Sequence, residues 1–248
     1  MGSVRFGRGL LVLACLAAVL AGVPSGTPPL HRSAGTAPAT VRIMPLGASS
    51  TVGVGSPETA GYRGPLQELL ARDGLSVDLV GSQRDGPDSV PDRDHEGHNG
   101  ITLEQMRPRV AQWVRSARPD VVLLHNGTND LLQGASPAEA AERLEGVLAE
   151  IARVSDAHVV VAGVWAPLPG DGRDREEFER LSAVTVAGFW ERGHPMRFVD
   201  ATDLLTPAGL ADGLHPNARG YRRIAEMWER EILDVLAHRP GVSRPAGS

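Results

Sequence analysis

Five times over, a short apolar run is followed by a segment of helical period, and this alternation restricts the fold more than any other feature of the chain. The runs are "VRIMPL" from Val41, "SVDLVGS" from Ser76, "DVVLLHNG" from Asp120, "HVVVAGVW" from His158 and "MRFVD" from Met196. Each is short and apolar on both faces, as a strand is when helices cover both sides of its sheet. Between them, Leu66, Leu69 and Leu70 keep the spacing of one helix face, closed by Gly74. Met106, Val110, Trp113 and Val114 mark a second helix, and a charged helix runs from about Arg173 to Glu191. The third helix in chain order carries its own start signal: Ser136 as N-cap, Pro137 at the first helical position and Glu139 three on. The last, from about Asn217, sets Tyr221, Ile224, Ala225, Trp228 and Ile232 on one face. Strands separated by helices pair in parallel through crossovers, so the fold class is α/β.

The polar stretch Gln83 to Gly100 has no apolar pattern and reads as a long loop. Leu30 to Thr40, rich in Ala, Thr, Ser and Pro, reads as a linker, and "HRPGVSRPAGS" at the end reads as a loose tail. Residues 1–23 differ from all of this. Arg5 and Arg8 precede an apolar run from Gly9 to Val23, the plan of an export signal, too short for a comfortable span of about 20 residues. An uncleaved membrane anchor is the alternative. The expected division is therefore a signal at 1–23, a linker at 24–40, one domain at 41–238 and a tail at 239–248, in a secreted protein.

Cys15, the only cysteine, lies inside the signal, so the mature chain has no disulfide, thiolate metal site or cysteine nucleophile. The net charge of −5 becomes about −7 once Arg5 and Arg8 are removed. With no basic block either, nucleic acid is not an expected partner.

In parallel sheets, ligands bind beyond the carboxyl ends of the strands. "GASST" follows the first strand, "DHEGHNG" closes the long loop after the second, "NGTND" follows the third and "DGLHPNARGY" follows the fifth. A serine, a glycine turn, an asparagine and an Asp-x-x-His thus fall at one edge. A serine hydroxyl needs a base to take its proton, and the imidazole of His215 suits that task. Asp212, three residues earlier, would reach the ring across one helical turn and fix its tautomer. Backbone N–H groups in the glycine turns and the Asn129 amide suit an oxyanion. Spacing alone leaves Ser49 and Ser50 both open as nucleophile.

These four segments, in this order, resemble the blocks of the SGNH (GDSL-type) hydrolase superfamily, from Val41 to about Leu236. "IMPLG", "DLVGSQ", "EGHNG" and "PDVVLLHNGTND" are most similar to secreted carbohydrate acetyl esterases within it. The resemblance implies a three-layer α/β/α, flavodoxin-like fold around a five-stranded parallel sheet. It implies carboxylic ester hydrolysis through an acyl-serine, with no metal or cofactor. Its register implies Ser49 as nucleophile with His215 and Asp212, and an oxyanion hole from Ser49, Gly100 and Asn129. The substrate class it implies is a small-molecule or carbohydrate ester. One departure stands out: Ala48 occupies the position where the family carries aspartate. Loss of that turn residue's hydrogen bonds would loosen the nucleophile loop, leaving a weakened carbohydrate-binding member as one alternative. A lipase or lysophospholipase-type acyl hydrolase is the other.

Three further features have two readings each. Asp92, Asp94, His95, Glu96 and His98 crowd one loop without the spacing of a helical metal site, and read as a solvated cleft border rather than a metal cluster. Trp165 reads as core, with sugar stacking as the alternative. His125 reads as a hydrogen-bonded structural histidine.

Overall fold

The computed structural model describes residues 40–165 and 172–238. The expected signal, most of the linker and the tail lie outside the described residues.

The five expected strands are present: β1 (Val41–Gly47), β2 (Val77–Leu79), β5 (Val121–His125), β6 (His158–Ala162) and β7 (Met196–Val199). Two more, β3 (Gln83–Arg84) and β4 (Asp94–Gly97), lie in the stretch expected to be loop, giving a seven-stranded sheet rather than a five-stranded one. The order is β3-β4-β1-β5-β6-β7, with β2 also on β1. All pairs are parallel except the β3–β4 ribbon. Because β5 takes one edge of β1, β2 and β4 divide the other. β2 pairs with Val41–Ile43, and β4 pairs with Leu46–Gly47. Strand β4 has no apolar signal because its buried side chains, His95 and Glu96, are polar.

Side-chain alternation along the strands separates two cores. Met44, Leu46, Val122 and Leu124 face α3 (Leu103–Ala117), α5 (Pro137–Ala152) and α6 (Arg173–Glu191). Ile43, Val121, Leu123 and Val160 face α2 (Arg63–Arg72) and α7 (Ala218–Ala237). The result is three layers, each fully buried Leu, Ile or Val contributing about 1.5–3 kcal/mol. Short helices α1 (Ser49–Val52) and α4 (Thr128–Leu132) follow β1 and β5 directly. The capping box expected at Ser136 and Glu139 opens α5, and a second one, Thr102 with Gln105, opens α3. Among the described residues no helix is long and apolar enough to cross a membrane.

Candidate active site

The register of the sheet positions the site. Gly47, the last residue of β1, pairs with Gly97 of β4 on one side and His125 of β5 on the other. The segments after these three residues therefore leave the sheet side by side at its carboxyl edge.

Ser49 opens α1 directly after Ala48. Its Oγ lies 2.9 Å from His215 Nε2, and His215 Nδ1 lies 2.8 Å from Asp212 Oδ2. In the tautomer this network requires, Nδ1–H donates to the carboxylate while Nε2 accepts from the serine hydroxyl. Ser50 is buried, and its hydroxyl is not the one on His215.

The approach of Asp212 to His215 differs from the expected helical turn. Residues 211–215 form bends, and Asp212 Oδ1 accepts the N–H groups of Leu214 (3.0 Å) and His215 (2.7 Å). The carboxylate thus folds its own turn while its other oxygen holds the ring. These bonds, led by the His215 N–H, hold the Asp212 carboxyl down at about 2. Gly55 lets the nucleophile segment approach this turn, since a Cβ there would sit 3.2 Å from His215 Cβ and closer still to the Pro216 carbonyl.

Asn129, in α4, lines a small cavity with Ser49 and His215. Its Nδ2 donates one hydrogen to the Ile101 carbonyl at 3.0 Å, tying the end of the β4–α3 loop to this helix. Gly100, with φ +74, is exposed and is not among the residues lining that cavity. The cavity gives about 20 Å³ of room for the centre of a water-sized group.

Ala48 is 7% exposed and packs into the core on the α3 side. Its carbonyl accepts the N–H groups of Thr51 and Val52. The turn is held from beneath by Arg63, which is fully buried. Its guanidinium donates to the carbonyls of Thr51 (3.1 Å), Val52 (3.1 Å), Asp85 (2.8 Å) and Arg93 (2.6 Å). Sequence reasoning did not single out Arg63.

Sequence reasoning also passed over Asp130 and Asn126. Asp130 is fully buried, accepting the Leu103 N–H at 2.8 Å and Arg143 Nη1 at 3.0 Å, so it fixes the start of α3 against α4. Asn126 is nearly buried and lines the cavity.

His125 does not make the hydrogen bond expected of it. Both ring nitrogens lack a partner among the described residues, and the ring stacks on Trp165 with centroids 3.3 Å apart. Burial keeps it neutral, with its pKa lowered to about 3. Trp165, 1% exposed, packs as core.

The polar loop cluster is engaged internally. Asp92 accepts from Leu79 N–H, Glu96 from Ser82, and His95 Nδ1 from Gly97 N–H, while His98 bonds Glu96 and stacks on Trp113. Among the described residues no group of three or more His, Cys, Asp or Glu is placed to hold a metal ion.

The model of the GDSL-like lipase/acylhydrolase family matches residues 46–223. The chain belongs to that family. Membership puts it among ester hydrolases. A Clostridium thermocellum family 3 carbohydrate esterase superimposes with a TM-score of 0.71 at 35% identity, covering 80% of this chain and 100% of that one. A multidomain esterase of Ruminococcus flavefaciens is 28% identical over 94% of this chain, which spans 33% of that protein's length. Esterase TesA of Pseudomonas aeruginosa is 26% identical over 88% of this chain and 94% of its own.

Proposed function

We propose that the chain is a serine esterase that removes small acyl groups, acetyl above all, from a carbohydrate outside the cell. The observation that carries this is the continuous hydrogen-bonded line from Ser49 through His215 to Asp212. In the proposed reaction His215 Nε2 takes the Ser49 proton as Oγ attacks the ester carbonyl. The tetrahedral oxyanion is met by the Ser49 N–H and the Asn129 amide. Collapse expels the alkoxide, which takes the proton from the imidazolium and leaves as the alcohol. Water, deprotonated by His215, then attacks the acyl-serine, releasing the acid and restoring Ser49. No cofactor enters these steps.

Three observations support the finer reading. The cavity beside Ser49 has room for a methyl-sized group, which favours acetyl over the long chains of a lipase. Asp212 is half exposed, so the line of groups opens at the surface, where an ester on a polymer can approach. The 35% identical neighbour is a carbohydrate esterase. Secretion is supported by the signal-like pattern at residues 1–23. The support that Arg63 lends the nucleophile turn counts against the alternative of an inactive member weakened at Ala48.

The test is hydrolysis of 4-nitrophenyl acetate together with fluorophosphonate labelling, in the unsubstituted protein and in Ser49→Ala, Ser50→Ala and His215→Ala. Turnover and labelling are expected to survive only Ser50→Ala. Ser49→Ala with His215→Ala should be little worse than either alone, because such groups act as a unit. A folded protein that is neither labelled nor active would reject the esterase reading. Acetylated xylan compared with long-chain esters tests the substrate.

A further inference from the structure

One residue lining the cavity beside Ser49 carries a buried side-chain donor that the proposed reaction has not used. Asn126 follows the last residue of β5, next to the end of β1, and lines this cavity with Ser49, Asn129 and His215. It is 5% exposed. Its Oδ1 accepts the Gly127 N–H at 2.9 Å, which fixes the amide, since the reverse orientation would set its NH₂ against that N–H. Nδ2 has no hydrogen-bond partner among the described residues. A buried amide donor left unpaired is destabilising, so its retention at a reactive serine calls for an acceptor brought by the substrate. Asn129 has already given one of its two amide hydrogens to Ile101, whereas Asn126 has both to offer.

Size selects the acceptor. With about 20 Å³ of room, the cavity admits the carbonyl oxygen and a methyl-sized group of a bound ester, not a sugar ring. We propose that Asn126 is a further catalytic residue: its Nδ2–H donates to the ester carbonyl oxygen and holds it more tightly as the oxyanion develops. The neutral ring of His125, stacked on Trp165, forms the wall beside it. The inference rests on the esterase reading above.

The experiment compares the unsubstituted protein with Asn126→Leu and Asn126→Asp, using steady-state turnover of 4-nitrophenyl acetate, the rate of fluorophosphonate labelling and urea unfolding. Leucine keeps the bulk and removes the donor. Aspartate keeps the shape and the Gly127 bond while placing oxygen where the donor was. Both variants should lose about 10²-fold in kcat, with KM within about threefold and labelling slowed in parallel, because the donor acts most strongly in the transition state. A kcat within twofold of the unsubstituted protein overturns the proposal and leaves the esterase reading intact. A change confined to KM also overturns it, as does loss of cooperative unfolding in both variants, which would make Asn126 a structural residue. If the unsubstituted protein neither turns over ester nor is labelled, the esterase reading itself fails and takes this proposal with it.

Discussion

Arg63 donates from Nε to the carbonyl oxygen of Thr51, two residues beyond Ser49, although the arginine belongs to a different helix and is wholly buried. The same guanidinium reaches Val52 on one side and Asp85 and Arg93 on the other, so one side chain joins the nucleophile turn to the loop before β4. A planar fork can serve four carbonyls at once, which a single ammonium group cannot.

Replacing Arg63 by methionine should therefore leave four carbonyls short of a donor and destabilise the fold by about 2–4 kcal/mol, the relief of a buried charge offsetting part of the loss. Arg63→Lys should recover little. The urea midpoint measures this, and a loss below about 0.5 kcal/mol, typical of a surface change, would remove Arg63 from the role of anchor.

Asn129→Ala should lower turnover of 4-nitrophenyl acetate about 10²–10³-fold if its amide meets the oxyanion. It also severs the bond to Ile101, so urea unfolding is read alongside: lost tethering lowers the midpoint, whereas lost charge stabilisation lowers kcat at an unchanged midpoint. A loss smaller than tenfold would take Asn129 out of the oxyanion hole.

The alternation of apolar runs and helical faces made the layered α/β fold legible, because strands buried on both sides leave few other solutions. β3 and β4 were not legible. β4 is four residues long, and its interior is made of His95 and Glu96, satisfied by Gly97 N–H, Ser82 and His98 rather than by apolar packing. At the site, Ser49, Asn129, Asp212 and His215 announce themselves by residue type and by position after a strand. Arg63 and Asn126 do not, since their importance lies in burial and in partners many residues away. The turn that brings Asp212 to His215 was misjudged for a similar reason, its geometry being set by side-chain bonds to the backbone rather than by helical spacing.

Glu179 gives a pH-dependent prediction. Its carboxyl is buried between α6 and the end of β6, where Oε1 accepts the Val164 N–H and Oε2 has no partner among the described residues. Desolvation pushes its pKa up to about 7, with Asp200 adding to the shift and Arg175 opposing it. Between the unfolded value of about 4.3 and the folded value, the native state binds the extra proton, so its stability falls as pH rises through this window and levels off above it. Glu179→Gln keeps the acceptor and removes the titration. Relative to the variant, the unsubstituted protein should lose about 3–4 kcal/mol between pH 4 and pH 8, measured by urea unfolding. Parallel curves for the two proteins would contradict this.

The cavity sets the last expectation, on acyl length. Beside Ser49 only about 20 Å³ admits the centre of a water-sized group, between walls that include Ala48, His125 and the buried Trp165, so an acetyl methyl fits, whereas methylenes added against those walls must displace packed side chains. Overpacking of that kind costs about 1–3 kcal/mol, or roughly tenfold to a hundredfold in rate. 4-Nitrophenyl acetate should thus exceed the butyrate in kcat/KM by at least about tenfold. Trp165→Ala should narrow that gap by opening the wall, while destabilising the protein by about 3–5 kcal/mol through the space it leaves. Equal rates on acetate, butyrate and octanoate in the unsubstituted protein would mean that the acyl chain lies elsewhere, along the open surface beside His215, and acetyl preference would have to be given up.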